Sequence, residues 1–143
     1  MSYLLDTCTV SEPLKREPEA RVASWIEGQS ASSLYPSVIT IGEVRKGIEQ
    51  LDDAVQKKPL QQFLKTLKRE HRDRTLGIDV ETAELWGRVM AQAKRSGRPM
   101  GVPDGLIAAT ALRHGLKVVT RNVSDLEPVG VEVVNPWVDP ASG

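Results

Sequence analysis

Residues 103–126 read PDGLIAATALRHGLKVVTRNVSDL, and the class of fold can be inferred from this stretch. Its first half predicts a helix that begins at Asp104 and is stopped by Gly115. The inward face of that helix is expected to consist of Ile107, Ala108, Ala111 and Leu112. The second half runs directly into KVVT at 117–120, a β-branched run typical of a buried strand. A helix followed at once by a strand is the unit from which parallel sheets covered by helices are built.

The rest of the chain supplies the other layers of the same architecture. Short apolar runs predict further strands at 2–5, 34–35 and 131–134. Apolar residues spaced three or four apart predict helices between them, over 19–27, after Ser37, from Pro59, and from Asp79 to about Gly97, with 101–103 as a loop. We therefore expect a three-layer α/β/α sandwich with a central, mainly parallel sheet. One domain would span 1–143, with a flexible tail from about residue 138.

The composition narrows the classes of function. The longest apolar stretch, Leu106–Leu112, is far shorter than the roughly 20 residues of a membrane span, and the first residues do not read as a secretory signal. We therefore expect a cytoplasmic protein with no membrane partner. Cys8 is the single cysteine, which excludes an internal disulfide and argues against a structural zinc site. Because 19 basic residues balance 19 acidic ones, any affinity for nucleic acid must come from a local charge pattern.

Three carboxylates are placed to converge at one edge of the predicted sheet. Asp6 ends the first strand, Asp104 opens a helix, and Glu43 lies in a helix that begins directly after a strand. Ligands of parallel sheets bind at the carboxyl ends of the strands, where Asn122 and Asp125 would add further oxygens. Clustered anions are unfavourable unless a cation neutralises them, and Mg²⁺ or Mn²⁺ prefers such oxygen ligands. The chemistry that suits this set is phosphodiester hydrolysis, although each residue alone could equally be a cap or turn residue.

Four segments resemble the PIN-domain ribonuclease family, in particular its VapC- and FitB-type toxins of bacterial toxin–antitoxin pairs. The segments are YLLDTCTVSEPL at 3–14, SVITIGEVRKGI at 37–48, the stretch at 103–126 quoted above, and NPW at 135–137. They follow the order of the family and cover nearly the whole chain. The resemblance implies a Mg²⁺- or Mn²⁺-dependent endoribonuclease that cuts cellular RNA and stops translation until a small antitoxin blocks it.

The resemblance also implies roles for individual residues. Those implied to be catalytic are Asp6, Glu43, Asp104 and Asn122, with Asp6 and Asp104 as the metal ligands. The supporting residues are expected to be Thr7, Thr120 and Asp125. Positive charge is concentrated at 57–74 and 85–103, and the candidates for RNA contact are Lys94, Arg98 and Arg121.

Partners follow from the same resemblance. It implies a homodimer and a VapB- or FitA-like antitoxin whose C-terminal segment inserts in the active-site groove. Candidates for these contacts are Val38, Ile41 and the helix that bears Phe63 and Leu67. Trp25, Trp86 and Trp137 are expected to be packing anchors rather than platforms for stacked bases.

Two residues depart from the pattern of the family and leave a rival interpretation open. Many relatives have Asp where this chain has Asn122, and most have Asn where it has Cys8. A catalytically silent module that binds RNA or an antitoxin is therefore the alternative. A phosphoryl-accepting receiver domain is a weaker rival, because DTC at 6–8 lacks the acidic pair that such a domain needs after its first strand.

Overall fold

The computed structural model describes residues 1–138, so the predicted tail lies almost entirely outside the described residues. The strands are β1 (Tyr3–Leu5), β2 (Leu34–Tyr35), β3 (Lys117–Val119) and β4 (Val133–Val134). The helices are α1 (Thr7–Ser11), α2 (Ala20–Glu27), α3 (Val38–Glu49), α4 (Ala54–Glu70), α5 (Val80–Arg95), α6 (Val102–His114) and α7 (Val123–Leu126). Short 3-10 helices cover Glu12–Leu14, Ala31–Ser33 and Glu127–Val129. None of the helices in this part of the chain is long and apolar enough to cross a membrane.

The four strands form one parallel sheet in the order β2-β1-β3-β4. In the pairing of β1 with β3, Leu4 lies opposite Val118. The chain leaves β1 for β2 on one side of it and later returns to β3 on the other side. The carboxyl ends of β1 and β3 therefore flank the topological switch point, where ligands of such sheets bind.

Helices cover both faces of the sheet. Leu4 and Val118 point into a cluster that contains Ile107 of α6 and Val89 of α5. Tyr3 and its neighbours on the other face pack with Trp25 of α2, which meets the Tyr3 ring edge-on at a centroid distance of 4.9 Å. Alternation along the strand thus buries both faces, as in other parallel sheets. The predicted three-layer α/β/α sandwich is confirmed.

The prediction that the fourth helix begins at Pro59 is wrong. α4 begins at Ala54, because the side chain of Asp53 accepts the backbone N–H of Val55 at 2.8 Å and caps the helix. Pro59 lies inside the helix, where its missing N–H costs one backbone hydrogen bond. The helix continues through it because its later turns pack against α3, with Leu64 as a shared core residue.

The start of α6 also differs from the expectation. The loop predicted at 101–103 is largely helical, since α6 begins at Val102. Pro103 occupies the first turn, where no intrahelical partner exists for an N–H, so Asp104 lies within that turn rather than at the cap. Leu112, expected to face inward, is 38% exposed. Gly115 ends the helix as predicted, in the left-handed conformation with φ of 64° that favours glycine.

Gly105, next to Asp104, allows α5 and α6 to approach closely. A Cβ at this position would lie 2.5 Å from Met90 Sδ and 3.1 Å from the indole ring of Trp86. We expect Gly105→Ala to lower the free energy of unfolding by about 1–3 kcal/mol, as is usual when a packed site is overfilled. The measurement is urea unfolding followed by circular dichroism.

Gly87→Ala on α5 is the matched control, because a Cβ there would have nothing within 4 Å. It should stabilise the protein by about 0.5–1 kcal/mol through helix propensity alone. A stabilising effect at both glycines would contradict the close approach described here.

Candidate active site

Asp6 lies directly after β1 with its side chain buried. Its Oδ1 accepts the backbone N–H of Thr7 at 2.8 Å, which caps α1. Its Oδ2 accepts the hydroxyl of Thr120, from the end of the neighbouring strand, at 2.7 Å. Each carboxylate oxygen has two lone-pair sites, so Oδ1 keeps capacity for one further partner.

The Thr120 hydroxyl links the end of β1 to the loop that follows β3. It is fully buried, donates to Asp6, and accepts the backbone N–H of Asn122 at 3.0 Å. The same side chain thus orients the first carboxylate and shapes the loop that carries Asn122. The side chain of Asn122 is exposed beside α7 and makes no capping hydrogen bond there.

Glu43 is tied to this site by Thr7. The Thr7 hydroxyl donates to Glu43 Oε1 at 2.5 Å and lies 3.4 Å from the buried hydroxyl of Thr40. Thr40 in turn donates to the carbonyl oxygen of Leu5 at 3.4 Å, at the end of β1. These contacts hold α3 against the carboxyl edge of the sheet.

Asp104 completes the acidic group from the first turn of α6. Burial raises the pKa of its carboxyl group, and the negative charges of Asp6, Asp125 and Glu43 raise it further. The structure therefore places four carboxylates close enough for their charges to interact, those of Asp6, Glu43, Asp104 and Asp125. Of these, the Asp104 carboxylate has no hydrogen-bond or ion-pair partner within residues 1–138.

Cys8 faces the same group, a contact that the sequence analysis missed. Burial raises the pKa of its thiol, and the charge of Asp6 raises it further, so the thiol is protonated at neutral pH. Its Sγ lies 3.6 Å from Asp6 Oδ2 and 3.4 Å from Thr120 Oγ1. The signal available in the sequence was its position two residues after Asp6, on the first turn of a helix that Asp6 caps.

The basic candidates occupy different parts of the rim. Arg98 lines a cavity of about 290 Å³ together with Asp104 and Asp125, and its Nη2 donates to the carbonyl oxygen of Ser124 at 2.8 Å. Lys94 is exposed in the last turn of α5. Arg121 is exposed on the loop after β3. Contact of these three residues with RNA stays a prediction.

The donor set fits a hard divalent cation. Carboxylate and amide oxygens are the ligands that Mg²⁺ and Mn²⁺ prefer, and the mutual repulsion felt at Asp104 is what a cation would relieve. No three His, Cys, Asp or Glu side chains of residues 1–138 come close enough together to enclose a metal ion. A cation bound here would complete its shell with water and substrate oxygens, which is the usual manner of Mg²⁺.

Comparison with known proteins places this arrangement in a family. The family model for the PIN domain matches residues 3–126. The chain is 38% identical over 135 residues to VapC ribonuclease Y4jK of Sinorhizobium fredii, covering 94% of this chain and 96% of that protein. It is 35% identical over 137 residues to the toxin FitB of Neisseria gonorrhoeae, covering 95% and 99%.

Solved structures agree with the sequence comparisons. The crystal structure of FitAcB from Neisseria gonorrhoeae superimposes with a TM-score of 0.90 at 34% identity, covering 96% of this chain and 99% of that one. The structure of FitAB bound to the IR36 DNA fragment gives a TM-score of 0.89 at 33% identity, with coverages of 94% and 95%. The chain therefore belongs to the PIN domain family, in the group that contains VapC and FitB.

Proposed function

We propose that this protein is the endoribonuclease toxin of a toxin–antitoxin pair and acts in the cytoplasm. The observation that carries the proposal is the gathering of Asp6, Glu43 and Asp104 at the switch point of a parallel sheet. Relatives that bear the names VapC ribonuclease and toxin FitB, aligned over nearly their whole length, support it.

Asp6 and Asp104 would hold Mg²⁺ or Mn²⁺, with Glu43 and Asn122 binding its water ligands. When bound, such a cation lowers the pKa of a water molecule and neutralises charge on the scissile phosphate. Thr7 and Thr120 fix the carboxylates of Glu43 and Asp6 before substrate arrives. No side chain of the protein would become covalently attached to the RNA, because water is the nucleophile.

The groove between α3 and α4 is the surface we assign to the antitoxin. Its cavity measures about 450 Å³, and Val38, 42% exposed, contributes to its apolar floor with Ile41. The rim is basic and consists of Lys65, Lys68, Arg69 and Arg72. Phe63 and Leu67 do not line this groove; Leu67 is buried, and Phe63 packs against the core.

From this groove, the C-terminal segment of the antitoxin would continue to the acidic group. There an Arg or Lys would stand in for the charge of the cation through charge-assisted hydrogen bonds. We also propose a homodimer, in line with the resemblance to the family.

The test is RNA cleavage by the purified, antitoxin-free protein. Total cellular RNA should be cut into discrete fragments in Mg²⁺ or Mn²⁺, remain intact in EDTA, and be cut again once excess Mg²⁺ is restored. Glu84→Gln, which alters an exposed acid on α5, should cleave like the unmodified protein. Cleavage that persists in EDTA would contradict the proposal, whereas binding without cleavage in every metal would favour the catalytically silent module.

A further inference from the structure

Arg121 is a cation held in place by an aromatic ring. Its guanidinium Cζ lies 5.2 Å from the ring centroid of Trp137, within the range of a cation–π contact. Within residues 1–138, no carboxylate forms an ion pair with it. The five N–H groups of a guanidinium lie at the edge of its plane, so a guanidinium placed over a ring can still donate hydrogen bonds to another partner.

The ring beneath Arg121 is itself anchored. Trp137 is 4% exposed, and its indole N–H donates to Glu12 Oε1 at 3.2 Å. Glu12, 3% exposed, also accepts Lys15 Nζ at 3.0 Å and the backbone N–H of Glu19 at 3.0 Å. A carboxylate that accepts the indole N–H polarises the ring and makes its face more attractive to a cation. Two buried side chains from opposite ends of the chain, Glu12 and Trp137, therefore set the position of one guanidinium.

Arg121 is next in sequence to two residues of the candidate active site. It lies between Thr120, whose hydroxyl donates to Asp6, and Asn122, whose N–H donates to Thr120. The exposed guanidinium of Arg121 is therefore carried by the same short loop, residues 120–122, that contributes Thr120 and Asn122 to the site. Planar guanidinium edges match two phosphate oxygens at once, and the RNA backbone is the anion that has to cross this edge of the sheet.

We propose that Arg121 binds a phosphate of the RNA strand beside the acidic site, with Trp137 and Glu12 as its positioning residues. The inference rests on the proposed function for the identity of its ligand. It differs from general attraction between a basic surface and RNA, since it assigns the contact to one guanidinium whose orientation depends on two buried side chains.

The experiment measures binding of a fluorescein-labelled single-stranded RNA by anisotropy, at several salt concentrations, in the Asp104→Asn background. Arg121→Gln should weaken binding about tenfold, the size expected for a charge-assisted hydrogen bond, and reduce the salt slope by about one phosphate contact. Arg121→Lys, which keeps the charge but not the planar edge, should recover part of the affinity. Arg16→Gln, at an exposed arginine four residues from Glu12, is the control for loss of the same charge.

The positioning residues are tested by double-variant cycles. Trp137→Phe keeps an aromatic face without the indole N–H, and Glu12→Gln keeps an acceptor oxygen without the charge. Each should weaken binding when Arg121 is present and have no effect in Arg121→Gln. In the cleavage-competent protein, Arg121→Gln should raise KM and leave kcat unchanged. Thermal unfolding of every variant establishes that it is folded.

Three results would overturn the inference: unchanged affinity in Arg121→Gln, an equal loss in Arg16→Gln, or a loss in Trp137→Phe that persists without Arg121. Failure of the proposed function is a separate outcome. A protein that never cleaves RNA but binds it through Arg121 would contradict the nuclease and leave this contact standing.

Discussion

Asp104→Asn is expected to abolish RNA cleavage while it stabilises the metal-free protein against heat. Loss of cleavage should exceed about 100-fold, because residues that merely orient metal ligands are already worth about 10- to 100-fold. The stabilisation follows from the raised pKa of Asp104, which shows that the folded protein disfavours the ionised carboxylate. Activity and stability would thus change in opposite directions at one residue.

The position of Asp104 in the first turn of α6 works against this stabilisation. A helix N-terminus favours a negative charge by about 0.3–1 kcal/mol at exposed sites. The pKa is raised in spite of it, so burial and the three neighbouring carboxylates outweigh the helix. Because the folded-state pKa lies above the unfolded one, ionisation destabilises the fold at neutral pH; this cost declines once the pH falls below the folded-state pKa and is gone below the unfolded-state pKa.

Thermal unfolding in EDTA, at pH 7 and at stepwise lower pH, measures the effect on stability. The melting temperature of Asp104→Asn should exceed that of the unmodified protein at pH 7, and the difference should shrink as the pH falls. Excess Mg²⁺ should raise the melting temperature of the unmodified protein more than that of the variant. Asp52→Asn, at an exposed acid, is the control. Full cleavage by Asp104→Asn would remove this residue from the proposed site.

Thr120→Val is expected to damage both the fold and the site. Valine has nearly the same shape, but it leaves Asp6 Oδ2 without its donor and the N–H of Asn122 without its acceptor. A buried polar group deprived of its partner costs about 1–3 kcal/mol of unfolding free energy. Since Thr120 orients a proposed metal ligand, cleavage should also fall by about 10- to 100-fold.

Thr120→Ser distinguishes the contribution of the hydroxyl group from that of the methyl group. Serine restores both hydrogen bonds and should recover most of the cleavage, although it leaves a small void in the fully buried position. Urea unfolding and initial cleavage rates in Mg²⁺ are the two measurements. If valine and serine reduce cleavage to the same extent, the hydroxyl has no part in orienting Asp6.

The fold was largely predictable because its elements carry strong local signals. The short apolar run of β1, the cap at Asp79 and the stop at Gly115 each indicated their element correctly. The errors arose where tertiary packing outweighed a local rule. Pro59 lies inside α4, whose later turns pack along α3. The four-residue α7 was not predicted, because it is too short to show any period.

The site was predictable to a lesser extent. The carboxyl ends of β1 and β3 are adjacent in the sheet, and the helix that leads into β3 begins at that same edge. The proximity of Asp6 and Asp104 therefore follows from topology. Their catalytic role stays a prediction. The hydrogen bonds that orient the site join residues 36 positions apart for Thr7 and Glu43, and 114 apart for Thr120 and Asp6. No local pattern encodes such pairs. Trp137 was predicted to pack and is buried, but its contact with Glu12 spans 125 positions and was missed.

The pairing of β1 with β3 also dictates when the site can form during synthesis. Ribosomes make the amino-terminal part of a chain first, and β1 meets its β3 neighbour only after residues 117–119 have emerged. Until then, the Asp6 carboxylate has no Thr120 hydroxyl to hold it, and α6 can pack against β1 but not against β3. A nascent chain that ends before residue 120 therefore lacks the hydrogen bond that orients Asp6.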